Sequence, residues 1–287
     1  MIIVKITGGL GNQMFQYALG RALSLKLNCE LVLDVSFYPN QSLRKYELSK
    51  FNIQARLASD KEICNAGAGD GFVSRLIRKL GLTSLLYPRY IKELESIKYL
   101  KAVDDCTPGC YLNGYWQNPR YFENFKKQLS EDFTPLLLVS EQAQAWLQKI
   151  KAENSVSLHV RRGDYVQNAH TNTVHGTCTV EYYKRAVEHI QQQTDSPRFF
   201  LFSDDIDWCK ENLGFIENAC FVDDTKTAID DLSLMSACQY SIIANSTFSW
   251  WGAWLNTGDG MKIAPRNWFS SFDRNSKGIY PRLWLTL

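Results

Sequence analysis

The sequence predicts an α/β protein built from two parallel-sheet halves, and two observations carry that prediction. Strand-like and helix-like segments alternate along the chain. The polar clusters fall at the carboxyl ends of the predicted strands, which is where parallel sheets bind their ligands. The halves are expected at 1–150 and 151–287, joined near a helical stretch in 134–155. Two such Rossmann-like sheets facing a cleft would let a ligand held by one half meet a substrate held by the other.

In the first half, "MIIVKI" (1–6) reads as a buried strand, "GGLGN" as a turn, and 13–27 as a helix carrying Met14, Ala18, Ala22 and Leu25 on one stripe. "CELVLDV" follows as a second strand, completing a βαβ start. The middle of the chain, from about 50 to 110, is less regular. Residues 73–101 carry seven Lys/Arg against two Glu, with an amphipathic piece, "FVSRLIRKL". A solvated helix face is one reading; peripheral membrane association, through anionic lipid or a lipid-linked acceptor, is the other.

From about 154 the alternation is regular. The strands "SVSLHV", "RFFLFSDD", "ACFVDD", "YSIIAN" and "MKIAP" are separated by four helices, the last of which is "STFSWWGAWLN". Five strands and four intervening helices predict a doubly wound parallel sheet. Trp250 and Trp254 fall on one face of the last helix and are expected in the core.

Composition narrows the function. The chain has 287 residues, 45% apolar and 13% aromatic, as a folded protein does, and a net charge of +2 from interspersed charges of both signs. That balance disfavours a nucleic-acid binder. The eight cysteines form no pair of close-set metal doublets and read as reduced thiols. The N-terminal apolar run is too short for a signal peptide, and no segment approaches the ~20 apolar residues of a membrane span. A cytoplasmic protein is expected, and nothing in the sequence specifies an oligomeric state.

Three motifs point to an anionic ligand. In "LHVRRGDYV" (158–166) a strand ends on His159, Arg161, Arg162 and Asp164, around Gly163. Paired guanidiniums need a counter-anion, and a phosphate or diphosphate matches the bidentate Arg fork; the alternative is a structural salt bridge from Arg161 to Asp164. In "ANSTFSWW" (244–251) Asn245, Ser246 and Thr247 open a helix whose first N–H groups and dipole favour an anion; an ordinary cap accounts for one such residue. In "GGLGNQ" (8–13) Gly9 and Gly11 permit close backbone approach, while Asn12 and Gln13 offer amides. That loop fails as a dinucleotide fingerprint, because the third glycine would fall at Met14. A plain tight turn is the alternative.

Together, "GGLGNQMFQYA", "HVRRGDY", "FSDD", "DLSLMSACQYSIIANSTFSWWGAWLN" and "APRNWF" resemble the signature set of glycosyltransferase family 11, the α-1,2-fucosyltransferases. The resemblance runs from residue 8 to about 269. It implies a GT-B type fold, GDP-fucose as donor bound by the second half, and inverting transfer of fucose to the 2-hydroxyl of a galactose-containing or lipid-linked glycan, as in surface polysaccharide synthesis. It implies Arg161 on the β-phosphate and Asn12 at the reacting centre. His159, Asp164, Ser203, Asp204, Ser246, Thr247 and Phe248 would border the nucleotide, with Gly9, Gly11, Gln13, Arg162 and Asn245 also on the donor side.

Arg161 and a helix N-terminus could stabilise the departing diphosphate without a metal or any other cofactor. An Asp-x-Asp pair, Asp205 and Asp207, suggests a metal grip, but a helix is expected to begin there, and capping is favoured. The base that takes the acceptor proton stays open among His170, His175 and an N-terminal carboxylate such as Asp34, with a late, loosely assisted proton loss as the alternative. On the acceptor side, Tyr115, Trp116 and Gln117 could form a sugar platform or a core aromatic cluster.

Overall fold

The computed structural model describes residues 1–137, 139–163, 176–270 and 276–287. It divides into two compact units, Met1–Leu136 and Leu137–Leu287. The division lies ahead of the expected 150/151 boundary. The helix at Glu141–Ala152, called α6 below, packs within the second unit, and its N-cap Ser140 hydrogen-bonds to Asp230 there (3.0 and 3.1 Å).

The first unit holds β1 (Ile2–Lys5), α1 (Leu10–Lys26), β2 (Leu31–Asp34), β3 (Arg56–Leu57), α2 (Asp60–Asn65), α3 (Phe72–Lys79), α4 (Thr83–Leu86), β4 (Tyr90–Lys92), β5 (Tyr111–Asn113) and α5 (Lys126–Asp132). Its sheet is parallel in the order β3-β2-β1-β5-β4. The chain winds outward from β1 through β2 to β3, and β5 then pairs with the other edge of β1. The carboxyl ends of β1 and β5 therefore flank a topological switch point. A buried Asp132 fastens α1 to α5, accepting from Tyr17 Oη (2.7 Å) and Arg21 Nε (2.8 Å). Burial raises the Tyr17 phenol far above its ordinary range, so it stays protonated and donates.

The second unit holds α6 (Glu141–Ala152), β6 (Ser155–Val160), α7 (Val180–Gln191), β7 (Arg198–Ser203), α8 (Ile206–Asn212), β8 (Ala219–Phe221), α9 (Ala228–Ala237), β9 (Tyr240–Ile242), α10 (Thr247–Leu255), β10 (Lys262–Ala264) and β11 (Leu285–Thr286). The expected strand–helix order is found, with β11 as a further edge strand. Its sheet is parallel in the order β11-β10-β9-β6-β7-β8. The switch point here lies between β6 and β9.

Every residue of β6 is buried, as a central parallel strand requires. Val156, Leu158 and Val160 join Tyr183, Val187 and Ile190 of α7 in one core. The alternate positions Ser155, Ser157 and His159 project to the other face. The tryptophans of α10 are core, as expected: Trp250 and Trp251 are fully buried, and Trp250 stacks on Trp254 at 6.1 Å. All eight cysteines are free thiols.

Candidate functional site

The switch point of the second unit gathers the motifs that the sequence singled out. Beyond β6 the chain runs through Arg161, Arg162 and Gly163; beyond β9 it runs through Asn245 and Ser246 into α10. His159 and Arg161, two residues apart, share a face. The His159 ring lies 6.0 Å from that of Phe248, in the first turn of α10. The first N–H groups of α10 have no intrahelical acceptor, as at any helix start, and they carry the positive end of its dipole. Ser246 is the N-cap residue, yet its side chain makes no capping hydrogen bond. The site thus joins a guanidinium, a buried imidazole and a helix N-terminus at one sheet edge.

Arg161 is paired with Asp204, Nη1 to Oδ2 at 2.9 Å. The salt bridge to Asp164 was the sequence alternative, but Asp164 lies outside the described residues. Asp204 Oδ1 also accepts from the Arg162 backbone N–H at 2.9 Å. One carboxylate therefore fixes both the side chain of Arg161 and the turn that presents it. Gly163 makes this possible: a Cβ there would sit 2.6 Å from Asp204 Oδ2.

Arg162 departs from the donor-side expectation. Its guanidinium turns to Asp205, Nε to Oδ2 at 3.1 Å, and lies 4.2 Å over the ring of Trp208. Held this way, it braces the turn. Asp205 caps α8 by accepting from Trp208 N at 3.2 Å, and Asp207 is the first-turn acid. Ser203 Oγ accepts from Asp205 N at 2.9 Å, which links the end of β7 to that cap.

His159 is 6% exposed, and its Nδ1 has no hydrogen-bond partner among the described residues. Burial, with Arg161 nearby, pulls its pKa down to about 3, so the ring is neutral at physiological pH. An unpartnered polar atom in a buried side chain at this sheet edge fits an acceptor or donor supplied by a ligand.

The Asn245 side chain, expected on the donor side, is turned into the fold. It is 3% exposed, and its side-chain amide donates to Gly176 O (3.1 Å) and Trp268 O (3.4 Å) while Cys178 Sγ approaches its Oδ1 at 3.6 Å. It ties three segments together behind α10. Thr247 and Phe248 are half-buried in the first turn of α10.

The switch point of the first unit brings a second group together. The helix starts earlier than expected: α1 begins at Leu10 with Gly9 as N-cap, so Gly11, Asn12 and Gln13 lie in its first turn. Gly8 supplies the turn with φ +78°. Asn12 Oδ1 accepts from Gln117 Nε2 at 2.9 Å, joining the ends of β1 and β5. Gln13, expected on the donor side, is wholly buried. Its amide donates to Gly8 O (3.1 Å) and Lys45 O (2.8 Å) and accepts from Glu47 N (2.9 Å), so it braces the loop.

The acceptor-side expectation divides. Tyr115 is 42% exposed and free to offer a ring face, whereas Trp116 is fully buried, edge-on to Tyr121 at 5.9 Å, and belongs to the core. Glu93, which sequence reasoning missed, sets this turn. Its carboxylate accepts the backbone N–H of Tyr115 (2.6 Å) and of Trp116 (3.1 Å), and burial raises its pKa. Trp116 is held there at φ +58°.

Asp34 does not suit the base role. It is fully buried, accepting from Ser36 N (2.9 Å) and Tyr111 Oη (2.5 Å). His170 and His175 lie outside the described residues.

The two parallel-sheet α/β units have the architecture of a GT-B type glycosyltransferase fold. The chain belongs to glycosyl transferase family 11, whose family model matches residues 80–287, and it is a glycosyltransferase acting on glycans. It is 39% identical over 100% of its length to 99% of an alpha-1,2-colitosyltransferase of Escherichia coli. It is 33% identical over 98% of its length to 99% of the O-antigen biosynthesis glycosyltransferase WbnK of Escherichia coli. Among solved structures, the fucosyltransferase NodZ from Bradyrhizobium shares the fold, with a TM-score of 0.51 over 88% of this chain and 91% of that chain at 11% identity.

Proposed function

We propose that this enzyme transfers L-fucose from GDP-fucose to the 2-hydroxyl of a galactose in a glycan acceptor, with inversion and without a metal ion. The observation that carries the donor half is the placement of Arg161 at the end of β6 near His159, whose ring meets Phe248 in the first turn of α10. Cleavage of the sugar–phosphate bond builds negative charge on the departing diphosphate. A guanidinium and oriented N–H groups stabilise that charge more in the transition state than in the ground state. Asp204 holds the Arg161 guanidinium at the end of β6, and a planar fork held there suits a diphosphate.

In the first unit, Asn12 and Gln117 present polar atoms at the β1–β5 switch point, and Tyr115 presents an exposed ring suited to a sugar face. These residues are assigned to the acceptor and the reacting centre. The full-length similarity to a colitosyltransferase favours a second reading, in which the same site transfers colitose from its GDP-linked donor.

The test is turnover of GDP-fucose and of GDP-colitose against a panel of galactosides, with and without EDTA, the linkage being read by NMR. The proposal expects an α-1,2-fucosylated galactoside at an EDTA-independent rate. Product from GDP-colitose alone would install the second reading. Product from a different sugar nucleotide, or GDP binding without turnover, would remove both.

A further inference from the structure

The first unit leaves an apolar surface uncovered at residues 72–86. Phe72, Leu76 and Leu80 recur every four residues and share one face of α3 and its C-cap, at 81%, 45% and 61% exposure. Leu82, Leu85 and Leu86 continue the surface across α4, with Leu85 at 76%. Arg75 and Lys79 are exposed on the same helix.

Next to this surface, Arg78, Gly81, Thr83, Lys92 and Leu94 line a cavity of about 350 Å³. Arg78 is held in its wall, with Nη1 donating to Gly67 O (3.4 Å) and Gly69 O (2.7 Å) and Nη2 3.6 Å from Asp70. Residues 73–101 carry seven Lys/Arg against two Glu.

A second copy of the chain is a poor occupant. A symmetric contact would set this cationic stretch against itself and repel. An anionic bilayer answers both features at once, taking leucine and phenylalanine side chains into the headgroup–acyl boundary and the cations onto lipid phosphates. We propose that the 72–86 surface docks on an anionic lipid bilayer, with a lipid phosphate seated between Arg78 and Lys92. The inference needs no particular donor or acceptor sugar.

Co-sedimentation with phosphatidylglycerol-containing vesicles, against pure phosphatidylcholine vesicles, tests it. The wild type is expected to pellet with the anionic vesicles and to be released by high salt. Phe72→Glu with Leu85→Glu should lose roughly tenfold or more in partition, and Arg75→Gln with Lys79→Gln about fivefold per cation removed. Both variants should keep their circular dichroism and their transfer rate on a soluble acceptor, so a failure of the donor assignment would leave this test intact. The proposal falls if the wild type stays in the supernatant with anionic vesicles, or if both variants pellet as it does. It falls equally if the wild type is a lipid-free dimer that the Phe72→Glu/Leu85→Glu change dissociates in sedimentation velocity.

Discussion

Arg161 Nη1 and Asp204 Oδ2 lie 2.9 Å apart, and the same carboxylate accepts the backbone N–H of Arg162. The Arg161 guanidinium is therefore oriented by an acid from the neighbouring strand end, while that of Arg162 is drawn to Asp205 and Trp208. That division of labour between adjacent arginines generates the first two predictions.

Removing the Asp204 carboxylate should damage catalysis through misplacement of Arg161. Asp204→Ala is expected to lower kcat/KM by about a hundredfold, the scale of a ~1 Å displacement at a reacting centre. Asp204→Asn keeps an acceptor for the Arg162 N–H and should lose about tenfold. Steady-state kinetics with the donor varied will check both.

Gly163→Ala should mimic the aspartate variants with little loss of stability. The new Cβ would meet the tip of the Asp204 side chain, which can swing aside only by releasing Arg161. A melting temperature within a few degrees of wild type, alongside a kcat/KM reduced about tenfold, is the expected pair of measurements.

His159 should make the fold sensitive to mild acid. Its folded pKa, about 3, lies below the unfolded value near 6.5, so the unfolded chain binds the proton more readily. Its contribution is present in full above about pH 6.5 and is lost as pH falls toward the folded pKa, by up to ~1.4 kcal/mol per unit. Urea denaturation from pH 7 to 5 should show this slope. His159→Phe, which fills similar space without titrating, should reduce it.

Gln13 is predicted to be a stability residue. Gln13→Leu removes the side-chain donor from Lys45 O and the acceptor from Glu47 N, while Gly8 O keeps the Tyr38 hydroxyl as a donor. A loss of about 2–4 kcal/mol in urea denaturation is expected, from buried polar groups left unpaired.

Much of this was legible in the sequence, unevenly. The second unit is legible almost element by element, because β6 alternates apolar with polar residues over six positions, β7 carries the four-residue apolar run Phe199–Phe202, and the helices between strands keep their period. β3, β4, β5 and β11 are two or three residues long and, unlike the equally short β8, β9 and β10, do not fall in a regular strand–helix alternation. The start of α1 was misplaced because Gly9, Gly11 and Asn12 all read as turn residues. Gly9 is in fact the N-cap, and a first helical turn tolerates glycine.

The motif residues fell at the switch points as expected, but their partners did not announce themselves. Asp204 lies on a different strand from Arg161, and strand order alone makes them neighbours. Residue type leaves Trp116 open between a sugar platform and an aromatic core, and Asn245 open between a helix cap and an anion site. Burial decides it: both are below 4% exposed. Glu93 carries no motif; its role comes from the parallel pairing of β4 with β5, which brings it to the backbone of Tyr115 and Trp116.

The central claim is that a nucleoside diphosphate binds at the β6–β9 switch point through Arg161, and calorimetric titration with GDP tests it most directly. Saturable binding to the wild type is expected, with a loss of roughly tenfold or more in Arg161→Ala at an unchanged melting temperature, and little recovery in Arg161→Lys, because an ammonium lacks the bidentate fork. Equal affinity in wild type and Arg161→Ala, or no binding of GDP to the wild type, would contradict it.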